Sequence, residues 1–206
     1  MAWVYNIGAQ TQYAYMSAEQ INNATELYYY MIARGATLES ICGLLGNITH
    51  ESGINPGCKQ TSSTRSGWGL IQWTPSTVLT DWCSRYHYNW YDGAAQMDRI
   101  IAEGTEQLEG GPYWIPTSSY PYTWAEFEQL TDVDEATKAY LYERERAGTA
   151  ALQTRLQYAR DWYAYFSGQP TPPPPTPPTP PTPYRRKRMP VYMMTLRKLT
   201  VKERRM

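Results

Sequence analysis

Glu51 closes the run Gly46-Asn47-Ile48-Thr49-His50-Glu51, and Ser52-Gly53-Ile54-Asn55-Pro56 follows it. A second run, Gly67-Trp68-Gly69-Leu70-Ile71-Gln72-Trp73-Thr74-Pro75, begins sixteen residues after Glu51. A carboxyl on an apolar helix face, next to a loop of tryptophan, glycine and glutamine, is suited to protonating the oxygen between two sugars. Desolvation penalises the ionised form of such a carboxyl and keeps its proton available. Tryptophan faces stack on pyranose rings, and an amide side chain reads hydroxyl and acetamido groups. Glycines let the backbone approach a ligand without a Cβ in the way.

The helix that must carry Glu51 is legible. Thr37 is a suitable N-cap, and Leu38, Ile41, Cys42, Leu45 and Ile48 follow at steps of three and four, with Leu44 widening the stripe. Glu51 extends that stripe, and Gly53 and Pro56 end the helix. On this reading Glu51→Gln abolishes the chemistry and changes stability by no more than about 1 kcal/mol. A helix-end carboxylate reaching solvent is the plain alternative, and Leu70 and Ile71 read as ordinary core. Gln72, polar between apolar neighbours, reads as functional.

Taken together, the two runs resemble the phage tail lysozyme family, within the lysozyme-like superfamily that also holds goose-type lysozymes and soluble lytic transglycosylases. The matching residues are Gly46, Asn47, Glu51, Ser52, Asn55 and Pro56, then Gly67, Gly69, Leu70, Gln72 and Trp73. Later matches are Gln96 and Glu103, Glu135-Ala136, Glu145-Arg146-Ala147-Gly148 with alanine where the family has proline, and Arg155 with Ala159. The likeness runs from about residue 17 to residue 167. It implies a mainly α, lysozyme-like domain with at most a small β element. It implies a glycoside hydrolase of the muramidase type, cutting the β-1,4 bond between N-acetylmuramic acid and N-acetylglucosamine in peptidoglycan. By carry-over Glu51 is the general acid, and Ser52, Gly67, Trp68, Gly69, Gln72 and Trp73 border the glycan. No cofactor is implied. Asp81 and Asp92 lie downstream with no motif behind either, so hydrolysis and lytic transglycosylation both stay open. An inactive glycan-binding or tail structural protein on the same fold is the reading from another class.

Composition narrows the field further. The formal net charge of zero hides an asymmetry: residues 1–183 carry eighteen acids and ten Lys/Arg, and residues 184–206 carry nine bases and one acid. Two histidines, His50 and His87, argue against a zinc amidase or peptidase. His50 points to a different helix face from Glu51 and reads as a surface residue. Of the three cysteines, Cys42 reads as a small buried hydrophobe; a Cys58–Cys83 bridge is possible without support, and nothing local suggests a thiol nucleophile. The amino terminus lacks the character of a secretory signal, and no stretch is apolar enough for a membrane span. Delivery on a virion tail, or release by another signal-independent route, is therefore expected to bring the enzyme to the wall.

The organisation reads as a catalytic domain over 1–168, a linker over 169–183 and a tail over 184–206. Residues 170–183 are ten prolines and four threonines. Such a run favours polyproline II and spans roughly 40 Å. The basic tail is too short for a domain and suits anionic wall polymers or phage tail proteins, with nucleic acid disfavoured by the acidic body. Helices are expected from Ser17 to Gly35, from Thr37 to Glu51, over 76–87 and 94–109, briefly over 123–130, and over 134–145 and 149–166. The segment 110–122 is expected as a loop.

Overall fold

A computed structural model describes residues 2–60, 66–146, 149 and 151–168. The serine- and threonine-rich residues Thr61 to Thr64, the pair Ala147-Gly148, the linker and the basic tail lie outside the described residues. The fold is mainly helical: α1 (Ala18–Ile32), α2 (Leu38–Ser52), α3 (Thr77–Arg85), α4 (Gly93–Thr105), α5 (Trp124–Phe127), α6 (Val133–Tyr140) and α7 (Leu152–Ser167). A π-helical turn, Leu141–Glu145, continues α6, and two short strands, β1 (Gly8–Ala9) and β2 (Cys58–Lys59), pair in parallel.

The central element is α2. Thr37 caps it, its hydroxyl accepting from the Ser40 N–H at 3.2 Å, and Gly53 ends it in the left-handed region at φ 61°. The periodicity predicts one buried stripe, yet every residue from Ser40 to Thr49 is buried. The reason lies in two glycines on the opposite side. A Cβ on Gly43 would stand 2.7 Å from the Ala136 Cβ and the Thr137 nitrogen on α6. A Cβ on Gly46 would stand 2.6 Å from the Arg155 carbonyl oxygen on α7. The two later helices therefore settle on the backbone of α2, and the Trp162 indole N–H donates to Thr49 Oγ1 at 2.8 Å to seal the α7 contact. Gly46→Ala is expected to lower stability by about 3 kcal/mol or more, because rigid backbone rather than a flexible side chain meets the new methyl. A denaturant titration of the variant reads this directly.

The first fifteen residues carry no helical or strand periodicity, and the structure shows why none is needed. Side-chain amides from elsewhere satisfy the backbone on either side of β1. Asn55 accepts from the Asn6 N–H at 3.0 Å and donates to the carbonyls of Asn6 and Thr11 at 2.7 and 2.6 Å. Asn23 accepts from Val4 N–H at 2.9 Å and donates to the carbonyls of Val4 and Ile54 at 2.8 Å each. Both asparagines are wholly buried, so their four-way bonding satisfies polar groups that burial would otherwise penalise. Ser17 caps α1, its hydroxyl accepting from the Gln20 N–H at 3.2 Å, while the Gln20 side-chain Oε1 accepts from Met16 N–H at 2.7 Å.

Two expected helices differ from expectation near their carboxyl ends. α4 stops at Thr105 rather than Glu109, because Glu106 is already extended at φ −126° and ψ 157°. The α6 pattern runs to Glu145, but its last turn is π-helical, which rotates the side chains there away from the α register. Cys42, Cys58 and Cys83 are all free and buried. Burial pushes all three thiols above their ordinary value, Cys83 to about 12, so they are not thiolates near neutrality. Among the described residues, no helix is long and apolar enough to cross a membrane.

Glu143 sits in the π-helical turn with no exposed surface, and burial pushes its carboxyl up to about 7 against backbone donors, one of them Tyr122 N–H at 3.0 Å. The folded protein then binds a proton that the unfolded chain has already released. Between pH 4.5 and 7 stability should therefore fall as pH rises, by on the order of 1–2 kcal/mol after allowance for solvent screening. Chemical denaturation across that window should show the slope, and Glu143→Gln should flatten it.

Candidate active site

The site is built from the last two turns of α2. Asn47 and Glu51 are four residues apart, so they lie on one side of that helix. Asn47 donates to the carbonyls of Gly43 at 2.9 Å and Thr137 at 3.0 Å, which fixes its amide. Its Oδ1 then accepts from Arg155 Nη1 at 3.1 Å. Arg155 Nη2 donates to Glu51 Oε1 in a short contact. Gly46 permits the arrangement, since α7 can bring Arg155 into place only by lying directly on it. The motif thus has a mechanical sense: a glycine for approach, an amide to aim the guanidinium, and a carboxylate to receive it.

This changes the expectation for Glu51. Its surroundings were expected to be apolar, but a guanidinium whose side chain is 3% exposed lies against a carboxylate whose side chain is 20% exposed. Glu51→Gln would leave Arg155 facing a neutral amide in a buried position. The expected stability change rises accordingly, from within about 1 kcal/mol to roughly 1–3 kcal/mol.

The second run forms a tight loop. Trp68 and Trp73 exchange backbone hydrogen bonds at 3.2 and 3.0 Å. Gly69 at φ 81° and Gln72 at φ 53° make the reversal, and Gly69 packs against the Gln96 amide, where a Cβ would come within 2.7 Å. That amide holds three segments together. It accepts from Leu70 N–H at 2.7 Å and donates to the carbonyls of Pro56 and Trp90 at 2.8 and 2.6 Å. Gln72 is half-buried and borders a groove of about 410 Å³, with its Nε2 donating to the Gly69 carbonyl at 2.7 Å. Trp73, Tyr113, Arg144, Glu145 and Arg146 border the same groove.

The other predicted residues fall in two places. Ser52, Gly67 and Gly69 are buried and frame the loop and helix end. Trp73 reaches the groove yet is only 2% exposed; its indole belongs mostly to the core, and its Nε1–H donates to Glu103 Oε1 at 2.7 Å. Trp68 is half-buried, with its ring 4.7 Å from that of Trp90 and the Lys59 ammonium 3.9 Å from its centroid. His50 is exposed, as its helix position suggested.

Beneath the groove lies an ion-pair network. Glu103, 1% exposed at its side chain, takes Arg99 Nε at 3.0 Å on one oxygen and Arg144 Nε at 2.6 Å on the other. Burial works against the Arg144 charge, but Glu103 and Glu145 outweigh it and hold its proton more firmly than usual. Glu145, next in the chain, turns toward the groove. Burial raises its carboxyl above the ordinary range; Arg144 opposes this, and the charge of Glu51 adds to it. Glu145 borders the groove with Gln72, and Glu51 is not among the residues that line that groove.

With this geometry in view, similarity to other proteins becomes specific. The sequence profile described as phage tail lysozyme matches residues 22–166. The chain belongs to the phage tail lysozyme family. It is also 32% identical over 161 residues to a protein called Morphogenesis protein 1 of Bacillus phage B103, an alignment covering 76% of this chain and 42% of that protein. The chain thus spans less than half the length of that relative.

Two residues that sequence reading placed in the later helices lie close to the two motifs. Arg155 with Ala159, and Glu145 in the Glu145-Arg146-Ala147-Gly148 element, were later matches to the family; the structure pairs Arg155 with Glu51 and places Glu145 on the groove. A signal for Arg155 was present: it shares the 155, 159, 162, 166 spacing of α7's buried face with Ala159, Trp162 and Phe166. A charged residue on such a stripe needs a buried partner. The turn of Glu145 had no such signal, because π-helical geometry breaks the periodicity that sequence reading relies on.

Proposed function

We propose that this chain is a glycosidase of bacterial peptidoglycan, carried by a phage tail, that cuts the β-1,4 bond between N-acetylmuramic acid and N-acetylglucosamine. The observation that supports the reading is the Arg155 guanidinium, aimed by Asn47, that holds Glu51 by one oxygen at the end of α2. The loop of the second motif borders a groove through Gln72 and Trp73. The Arg155 contact engages Oε1 and fixes the plane of the carboxyl, and Glu51 is the group assigned to protonate the leaving oxygen. Positive charge then develops on the muramic acid ring, where nearby carboxylate charge stabilises it. Gln72 reads the acetamido or hydroxyl groups, and Ser52, Gly67 and Gly69 keep the loop and helix end in register.

In this reading the polymer at the wall is the substrate, and the basic tail over 184–206 holds the enzyme to tail proteins or anionic wall polymers. The name of the Bacillus phage relative favours a second reading, a tail assembly component without turnover. Purified walls embedded in a gel distinguish the two: clearing by this chain supports the glycosidase, and intact walls with normal virion incorporation support the assembly role. Mass analysis of the released fragments then reads the chemistry. Reducing muramic acid ends are expected, and anhydro-muramic ends would reassign the enzyme as a lytic transglycosylase.

A further inference from the structure

We propose that a second cavity, beside the groove that Gln72 and Trp73 border, receives the peptide stem of the muramic acid residue and binds its carboxylate through Arg99. The proposal rests on the glycosidase reading and deepens it: the groove takes the sugar strand, and the cavity takes the peptide branch that leaves the strand.

The cavity measures about 310 Å³ and lies between α3, Arg99 of α4 and the loop over 108–113. Val78 and Tyr113 line both this cavity and the groove, so the two adjoin. Tyr113 is the divider. The Gly110-Gly111 pair lets it fold back: Gly110 turns at φ 84°, and a Cβ on Gly111 would stand 2.8 Å from the ring. The Tyr113 hydroxyl then donates to the Glu109 carbonyl at 3.1 Å. Its ring centroid lies 4.8 Å from the guanidinium carbon of Arg99 and 5.7 Å from that of Arg144. Arg99 borders the cavity, Arg144 borders the groove, and both are anchored on Glu103. One aromatic ring and one carboxylate thus fix the two sites relative to each other.

The chemistry of the cavity selects a charged, peptide-like branch over another sugar. The Arg99 side chain is only 4% exposed, and Glu103 takes its Nε–H at 3.0 Å. Among the described residues neither Arg99 Nη has a hydrogen-bond partner, and Glu103 is one carboxylate shared by two guanidinium groups. A desolvated guanidinium at the edge of a cavity binds a carboxylate strongly, and its forked geometry matches the two oxygens. The sugars of the strand carry no such charge; the stem peptide does, and it hangs from the lactyl group of muramic acid. Trp82 and Tyr86, with ring centroids 4.9 Å apart, offer an apolar wall to its aliphatic part. Asp81, which no motif explained, is exposed at the rim, where it suits the ammonium group of a diamino acid in the stem. Arg85 and Glu109 pair with each other at 3.1 Å with side chains 60% and 85% exposed, so they close the rim with a weak, solvated contact. The cavity is at the small end of the range for ligand sites, which suits the end of a branch rather than a run of rings.

The test uses the full chain, unaltered and as Asp81→Asn, Tyr86→Ala and Arg99→Lys. Two substrates are compared: purified walls, and the same walls stripped of peptide by an amidase. For the unaltered protein kcat/KM should be roughly ten-fold or more higher on the peptide-bearing walls, and in the variants that ratio should fall toward one. Tyr86 is 45% exposed, so its truncation tests the cavity even if Arg99→Lys does not fold. Calorimetry with a free synthetic stem tetrapeptide and its fully amidated form reads the carboxylate directly. The acid should bind, the amidated form should bind roughly ten-fold more weakly or worse, and Tyr86→Ala should weaken the acid. Unaltered protein that leaves both wall preparations intact would sink the glycosidase reading, and the calorimetry would still judge the cavity. Equal cleavage of the two preparations, equal binding of acid and amidated peptide, or peptide binding unchanged in Tyr86→Ala would each overturn the stem site alone.

Discussion

Glu51→Gln is expected to reduce wall cleavage by at least 10²–10⁴-fold, the usual contribution of a positioned general acid. Glutamine keeps the shape and can still accept the Arg155 hydrogen bond, but it has no proton to give. The loss should appear in kcat, because the amide fills the same space and ground-state binding changes little. The variant should remain folded with a stability lower by roughly 1–3 kcal/mol, since Arg155 keeps its Asn47 contact at 3.1 Å and lies near Glu145. Turnover of labelled walls and a urea titration check the two halves separately. Cleavage within ten-fold of normal would remove Glu51 from the chemistry, whatever its effect on folding.

Glu103→Ala is expected to be the most damaging single change to the fold. One carboxylate there serves two guanidinium groups and an indole N–H, with its own side chain 1% exposed and that of Arg99 4% exposed. Removing one partner of a buried pair strands the other charge, at about 3–5 kcal/mol, and here two charges are stranded. Thermal unfolding should shift down by roughly 10 °C or more for a domain of this size. Activity should fall too, even at temperatures where the variant is folded, because Arg144 and Trp73 lose their anchor and both edge the groove. Replacing Glu103, Arg99 and Arg144 together with apolar residues of similar volume should recover much of the stability but not the activity. Full stability in Glu103→Ala alone would show that the network is not what holds α4 to the π-helical turn.

The two motifs were readable in the chain because each is local. A helix of fifteen residues and a glycine-bounded loop declare themselves through spacing, caps and breakers, which depend on neighbours a few positions away. The structure keeps α2 from Leu38 to Ser52 and places the loop where Gln72 meets a groove. Sequence reading also anticipated a mainly helical chain with a minimal β element, and the parallel pairing of Gly8–Ala9 with Cys58–Lys59 is that element. The partner of β2 was hidden, because the residues leading into β1 are held by side-chain amides of Asn23 and Asn55 rather than by a pattern of their own.

The electrostatic identity of the site was decided elsewhere. Residue types alone determined that Glu51 stands at the end of a buried helix and that the loop carrying Gln72 begins sixteen residues after it. Whether that carboxyl faces hydrocarbon or a cation depends on a residue 104 positions away, delivered by α7 lying across Gly46. Periodicity carries no information on which distant helix settles on which glycine. It likewise carries none on a π-helical turn, where one extra residue rotates Glu145 out of the α register and into the groove. Local pattern sets the elements, and close packing between them sets which charges meet.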